Sequence, residues 1–299
     1  MSDQPSTPPR VRLGTAFIPS LPPEELLAMA RACEGHLDGL WVWEDCFKES
    51  GIAAAVAALG ATESLTVGLG LMPAPLRNVA LAAMEIATVH RLFPGRFVPG
   101  IGHGVQSWMS QAGARAASPM TLLTEYADSM RRLLDGERVT TQGRYVQLEQ
   151  VQLDWPPAPG SPLMMGGTGP RTLELCGRMG SGVLLATGMS HDQLRASRDA
   201  ALAGWRSSPR AEQPMPLVHV MFVATGSRAQ ERLERELAYW DTEPAPGRCA
   251  AGGPDEIAAA IRRCGEIGAT EVVALPTRDE PDVAEWIAFL GTQVRSALG

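Results

Sequence analysis

The stretch 96–104, Arg-Phe-Val-Pro-Gly-Ile-Gly-His-Gly, sets one imidazole between glycines at the end of a short apolar run. Glycine at Gly100, Gly102 and Gly104 lets a backbone turn sharply and approach a bound molecule closely. His103 adds a group that titrates near neutral pH and can hold or pass a proton. The remaining histidines, His36, His90, His191 and His219, fall inside or at the edge of regular elements and call for no special role. A second turn, Gly166-Gly167-Thr168-Gly169-Pro170, has the composition of an anion site. Its backbone N–H groups precede a helix whose N-terminus carries partial positive charge, with Thr168 available as the cap. A tight turn with a good cap accounts for it equally well. Thr187-Gly188 repeats the pattern more weakly. Glu44 and Asp45 follow a run bearing Trp41 and Trp43. They offer proton transfer or hydrogen bonds to a polar ring, and solvated loop carboxylates are the plain alternative. Cys46 has no basic partner nearby in sequence, so a packed thiol is expected before a nucleophile. Trp108 and Met109 offer an apolar wall or ordinary loop packing. There is no HExxH, GxSxG or P-loop, and the five cysteines show no metal-ligand spacing, so no metal is expected.

The elements that must position these residues alternate along the chain. Hydrophobic patterning predicts strands over 11–17, 39–43, 65–71, 96–101, 162–166, 182–186, 216–224 and 271–274. Helices are predicted over 22–34, 51–61, 79–92, 120–134, 169–178, 191–206, 228–240, 254–265 and 283–298. Eight strand–helix units with short apolar strands point to an α/β fold, a parallel (β/α)8 TIM barrel in one domain over 11–299. The alternation breaks after the fourth strand, at 103–118, and before the fifth, where 139–153 reads as extended pieces around Gly143. These are insertions, and long loops in compact domains are usually functional. A doubly wound sheet is the runner-up, but Gly14 stands alone in the first strand and forms no dinucleotide fingerprint. In such a barrel, functional groups gather at the C-terminal strand ends. Glu44-Asp45-Cys46, Gly70-Leu71-Met72, Gly102-His103-Gly104, Gly166-Gly167-Thr168 and Thr187-Gly188-Met189 all fall there.

Composition bounds the partners. With 299 residues, 45% of them hydrophobic and 20% charged, the chain can bury a large core. A net charge of -7 argues against non-specific nucleic-acid binding, which needs a basic footprint. No apolar run approaches the ~18 residues of a membrane span. An odd, scattered cysteine count fits a reducing cytoplasm. Residues 1–10 are polar and proline-rich, lack signal-peptide features, and are expected to form a disordered tail.

Four segments together resemble the bacterial luciferase-like superfamily, in particular its branch dependent on coenzyme F420. They are Gly-Leu-Trp-Val-Trp-Glu-Asp-Cys-Phe at 39–47, Leu-Thr-Val-Gly-Leu-Gly-Leu-Met-Pro-Ala-Pro-Leu-Arg at 65–77, Pro-Gly-Arg-Phe-Val-Pro-Gly-Ile-Gly-His-Gly at 94–104, and Met-Gly-Gly-Thr-Gly-Pro-Arg-Thr-Leu-Glu-Leu-Cys-Gly-Arg at 165–178. The resemblance spans nearly the whole chain. It implies a barrel binding F420, or alternatively FMN, at its C-terminal mouth, and a non-prolyl cis peptide at Gly70–Leu71 forming a bulge behind the cofactor ring. Gly70, Leu71, Met72, Gly102, His103 and Gly104 would lie along the cofactor. Gly166, Gly167, Thr168, Thr187, Gly188 and Met189 would meet its tail, and Asp45 matches a carboxylate of the deazaflavin enzymes. Departures from the branch are Cys46 where many relatives have histidine, Val105 for a glutamate, Trp108 for an asparagine and Met189 for a lysine. They disfavour a sugar phosphate, favour an apolar or conjugated small molecule near Glu44, Cys46, Trp108 and Met109, and leave His103 or Asp45 to handle the proton. An FMN-dependent monooxygenase and a non-catalytic flavin-binding barrel are the alternatives. The resemblance also implies a homodimer; the alanine-rich helices at 51–61 and 79–92 can pack closely enough to form it, and can equally pack on their own barrel.

Overall fold

The computed structural model describes residues 10–299, so the tail expected at 1–10 lies, except for Arg10, outside the described residues. Eleven strands are formed: β1 (Arg12–Phe17), β2 (Gly39–Val42), β3 (Thr66–Pro73), β4 (Phe97–Gly102), β5 (Val139–Gln142), β6 (Gln147–Val151), β7 (Met164–Gly166), β8 (Val183–Leu184), β9 (Leu217–Ala224), β10 (Cys249–Ala251) and β11 (Glu271–Leu275). Eight of them close in the order β1-β2-β3-β4-β7-β8-β9-β11, and β11 returns to β1 with Arg12 opposite Glu271. Every pairing in the ring is parallel, which gives the (β/α)8 barrel expected. The 139–153 insertion is the antiparallel hairpin β5–β6, tied to the helix Pro119–Leu134 by Glu125, whose carboxylate accepts from the N–H groups of Arg144, Tyr145 and Val146.

Side chains of successive strand residues point to opposite faces. Leu40 and Val42 of β2 therefore join the core between strands and outer helices, while Trp41 and Trp43 join the cluster that fills the lumen. Val218, Val220 and Phe222 of β9 and Val273 and Leu275 of β11 also face the lumen. The bulk of Trp41 is accommodated because Gly68 of β3 faces it without a side chain; a Cβ there would overlap the indole. Trp41 Nε1 donates to Glu271 Oε1 at 2.7 Å, and Arg12 Nε lies 3.3 Å from Glu271 Oε2. Burial pushes the Glu271 carboxyl up, against the opposing pull of Arg12 and the indole N–H.

A third insertion follows β9, where sequence patterning placed one helix of the regular alternation and a loose region. The helix Ala229–Tyr239 turns Ala229, Leu233 and Leu237 into the lumen cluster. The helix Pro254–Ile267 takes the outer position instead, with Ile257, Ala258, Ile261 and Ile267 in the outer core. The region 241–253 is not wholly irregular: it contains β10, which pairs parallel with the C-terminal end of β9. The buried Arg232 fastens the inserted helix to the loop after β11, donating to Thr277 Oγ1 at 2.9 Å and pairing with Asp279 and Glu280.

The packing of Trp41 on Gly68 has a direct consequence. Gly68→Ala is expected to destabilise the barrel by about 1–3 kcal/mol through overpacking. Urea unfolding measures it, and a midpoint equal to that of the parent chain would contradict this account of the lumen.

Candidate functional site

The C-terminal ends of the barrel strands bring most of the sequence-selected residues to one mouth. At the end of β3 the Gly70–Leu71 peptide is cis, as the resemblance implied, and the register with β4 shifts between Leu69 and Met72. The bulge turns the Leu71 side chain across three glycines of the neighbouring strands. A Cβ at Gly100, Gly102 or Gly166 would come within 2.7–2.8 Å of a Leu71 methyl. These glycines thus form a floor on which one isobutyl group lies. Met72, expected along the cofactor, is fully buried in the outer core, so its side chain does not face the mouth.

Beyond β2 two adjacent acids differ in their surroundings. Glu44 follows the outward parity of Leu40 and Val42. It is buried, accepts from Gly51 N at 2.9 Å and pairs with both guanidinium nitrogens of Arg77. The expectation that Glu44 lines a substrate pocket is therefore corrected: its carboxylate anchors the start of the helix Gly51–Gly60. Asp45, two residues after Trp43 and beyond the end of β2, is half-buried. Burial pushes its carboxyl up, partly opposed by Lys48. The Cys46 thiol is pushed up by burial, Glu44 and Asp45, with Arg77 opposing. A raised thiol pKa disfavours the thiolate and with it a nucleophilic role. The Cys46–Phe47 peptide is also cis, and Phe47 is exposed.

At the end of β4, His103 is half-buried with Nδ1 3.1 Å from Gly104 O. A carbonyl only accepts, so Nδ1 carries the proton and Nε2 is left free. Nε2 faces the turn after β7, 4.0 Å from the point where Gly167 would carry a Cβ. Gly104 takes the left-handed conformation (φ +70), and a Cβ there would lie 2.9 Å from Met109 Sδ. Met109 is fully buried and supports this turn; the expectation that it walls an open pocket is corrected, while Trp108 stays half-exposed.

The two turns selected as anion sites differ in kind. After β7 the helix Pro170–Met179 is capped by Gly169 and not, as expected, by Thr168, whose side chain is exposed. The parallel pairing of Gly166 with Leu184 directs the Gly167 N–H toward Leu184 O, whereas among the described residues no acceptor takes the backbone N–H of Thr168 or Gly169. After β8 the donors are already engaged. Gly188 N donates to Val220 O at 2.9 Å, His191 N to Pro246 O at 2.7 Å, and Ser190 and Gln193 form a capping box. Met189, matched to the tail, is buried in the outer core with Ser197 Oγ 3.5 Å from its sulfur, so its side chain is not available there. Sequence reasoning missed Arg248, whose Nε donates to Gly188 O at 2.7 Å and whose Nη2 reaches Gln193 Oε1 at 3.2 Å. It stands 60 residues beyond Gly188 in a region without periodicity, and no local signal marks it. No helix is long and apolar enough to cross a membrane among the described residues.

The chain is similar to known proteins in sequence and in fold. The chain is 29% identical over 174 residues to a 5,10-methylenetetrahydromethanopterin reductase of Methanolobus tindarius, covering 58% of this chain and 53% of that protein. It is 29% identical over 199 residues to an F420-dependent glucose-6-phosphate dehydrogenase of Nakamurella multipartita, covering 61% and 58%. The match thus spans little more than half the length of these curated relatives. The fold superposes on the monooxygenase RslO1 from Streptomyces bottropensis with a TM-score of 0.80 at 18% identity, over 96% of this chain and all of that one. The family model for luciferase-like monooxygenases matches residues 6–261. With a closed parallel barrel, a bulge at the end of β3 and glycine turns after β4 and β7, the chain belongs to the luciferase-like monooxygenase family.

Proposed function

We propose that this chain is a single-domain oxidoreductase that holds coenzyme F420 at the mouth of its barrel and moves a hydride between it and an apolar or conjugated small molecule. The observation that carries the reading is the glycine floor under Leu71 beside a turn with two uncommitted N–H groups, those of Thr168 and Gly169. The first suits the close approach of a flat ring, and the second suits an anionic tail. When bound, a deazaflavin supplies hydride transfer, and the protein supplies placement and electrostatics. Leu71 would back the ring. Gly166, Gly167, Thr168 and His103 would hold the tail, with Thr187 and Gly188 beside them. The F420 dependence of the Nakamurella multipartita relative supports the deazaflavin. Val105, about half exposed, and Trp108 stand where that branch has polar residues, which favours an apolar substrate over a sugar phosphate. Unpaired cysteines throughout fit a reducing, cytoplasmic setting.

Asp45 is the group that handles the proton. Burial keeps it protonated to higher pH than an ordinary carboxyl. As the acid, it would lose activity as pH rises through that raised value. His103 turns its free Nε2 toward Gly167 and so serves the cofactor. The two roles separate kinetically. Asp45→Asn should lower kcat about 100-fold or more with cofactor Kd little changed, whereas His103→Ala should mainly weaken cofactor binding. Lost turnover at full cofactor affinity in His103→Ala would give the proton role to the imidazole.

An FMN-dependent monooxygenase is the second reading, favoured by the superposition on RslO1. A non-catalytic flavin-binding barrel is compatible with Cys46 in place of a histidine. Fluorescence titration of the purified protein with F420 and with FMN decides the first point. Saturable F420 binding is expected, and tight FMN binding with no response to F420 would overturn the proposal. Turnover of any substrate with reduced F420 would exclude a non-catalytic barrel.

A homodimer through the helix Val79–Leu92 belongs to the same reading. Its Ala82, Ala83 and Ala87 are buried against their own barrel, so the alanines do not form the contact. The exposed face instead carries Leu81, Met84 and Leu92, which are 49%, 56% and 64% exposed. An apolar stripe of this kind suits an isologous contact. Sedimentation analysis should find a dimer for the parent chain and a monomer of unchanged circular dichroism for Leu81→Asp/Met84→Asp.

A further inference from the structure

The outer face of β9 carries a group that the proposed reaction does not use. His219 lies between the lumen-facing Val218 and Val220 and is fully buried outside the barrel wall. Its Nε2 is 2.8 Å from Gly247 O, and its Nδ1 is buried without a partner. Because a carbonyl only accepts, Nε2 carries the proton. Nδ1 is then the bare nitrogen of a neutral ring, since a second proton would have no acceptor. The segment it holds, 246–248, is a junction. Pro246 O accepts from His191 N at 2.7 Å at the start of the helix His191–Trp205. Gly247 is left-handed (φ +90) and packed so closely on His191 that a Cβ would lie 2.9 Å from the His191 backbone nitrogen. Arg248 donates to Gly188 O at 2.7 Å, and Gly188 N donates to Val220 O on the same strand as His219.

We propose that His219 is a positioning residue: from outside the barrel, its neutral imidazole holds 246–248 so that Arg248 fixes the Gly188 turn against the cofactor's tail. This rests on the reading of Gly188 as a tail contact. Protonation on Nδ1 would bury an unsatisfied donor and a charge, so the gripping arrangement disfavours the charged ring. The charged groups around this junction are His191, with Arg195 and Arg263 disfavouring its charged form and Asp192 favouring it, and Arg248 on the segment itself; Cys264 lies beside His191. Cys264 Sγ is 3.9 Å from His191 Nε2. Burial lowers the His219 pKa, and a charged His191 lowers it further, while Gly247 O opposes both. The arrangement with bound 246–248 is therefore favoured at neutral pH and lost as pH falls below the ordinary histidine range.

Two variants and two readouts test this. His219→Gln keeps an N–H for Gly247 O but does not titrate, whereas His219→Ala removes the donor. Cofactor Kd is measured by fluorescence with F420 and with FMN across acid and neutral pH. Backbone amide exchange over 186–193 and 246–248 is followed in the same buffers without cofactor. Toward acid the parent chain should bind more weakly and show lower amide protection factors, that is, less protection relative to the intrinsic exchange rate at each pH. His219→Gln should lose that acid limb. His219→Ala should bind about five- to tenfold more weakly at every pH, the factor expected for one lost buried hydrogen bond. Parent-like exchange in His219→Ala, or an unchanged acid limb in His219→Gln, overturns the proposal. If the parent chain binds neither cofactor, the functional reading fails, and amide exchange still decides the positioning role.

Discussion

The site depends on one indole. Trp41 crosses the lumen because Gly68 leaves room for it, and it is pinned from below by Glu271. A Cβ at Gly14 would lie 3.0 Å from that carboxylate and one at Gly39 3.4 Å, so two bare positions also accommodate the pin. Above the indole, Gly70 packs close to both Trp41 and Trp43, and the bulge with Leu71 begins there. An isolated buried carboxylate is costly, and the indole N–H and Arg12 offset that cost. The floor of the barrel and the backing of the proposed cofactor ring are thus one stack, from Arg12 through Glu271 and Trp41 to Gly70 and Leu71.

Much of this was legible in the sequence because strands and turns are governed by local rules. The eight barrel strands, the extended pieces around Gly143 and the glycine turns after β4 and β7 follow from periodicity and from where glycine is tolerated; that those pieces pair as a hairpin does not. What was not legible depends on phase and on distant partners. Glu44 and Asp45 are neighbours of one chemical type, and only the contacts of Glu44 with Gly51 and Arg77, distant in sequence, tell that this acid is committed to packing. Met72 and Met189 sit at or just beyond strand ends, and Met109 in the helix Gln106–Gln111 that follows β4, yet each turns into packing. Thr168 is a good cap by type, but Pro170 at the first helical position makes Gly169 the capping residue. Arg248 reaches the β8 turn from an insertion whose path no short-range pattern describes.

The turns after β7 and β8 look alike in composition and are electrostatically unlike. One presents N–H groups with no acceptor among the described residues, beside an imidazole nitrogen. The other has donated its N–H groups to β9 and to 246–248, and gains a guanidinium instead. Similar glycine content therefore conceals a difference in what each turn offers a ligand: directed neutral donors in one, and a diffuse positive charge on a rigid backbone in the other.

The helix Ala229–Tyr239 has a consequence for how such a barrel diversifies. Its Leu233 and Leu237 extend the lumen upward, while Arg232 and Glu236 tie it to the loop after β11. The inserted helix is thus fastened through side chains, whereas β10 in the same insertion joins the ladder through β9. Drift within 229–239 can therefore reshape the upper lumen while ring closure and the glycine floor stay intact, so the cap of the lumen and its scaffold vary separately.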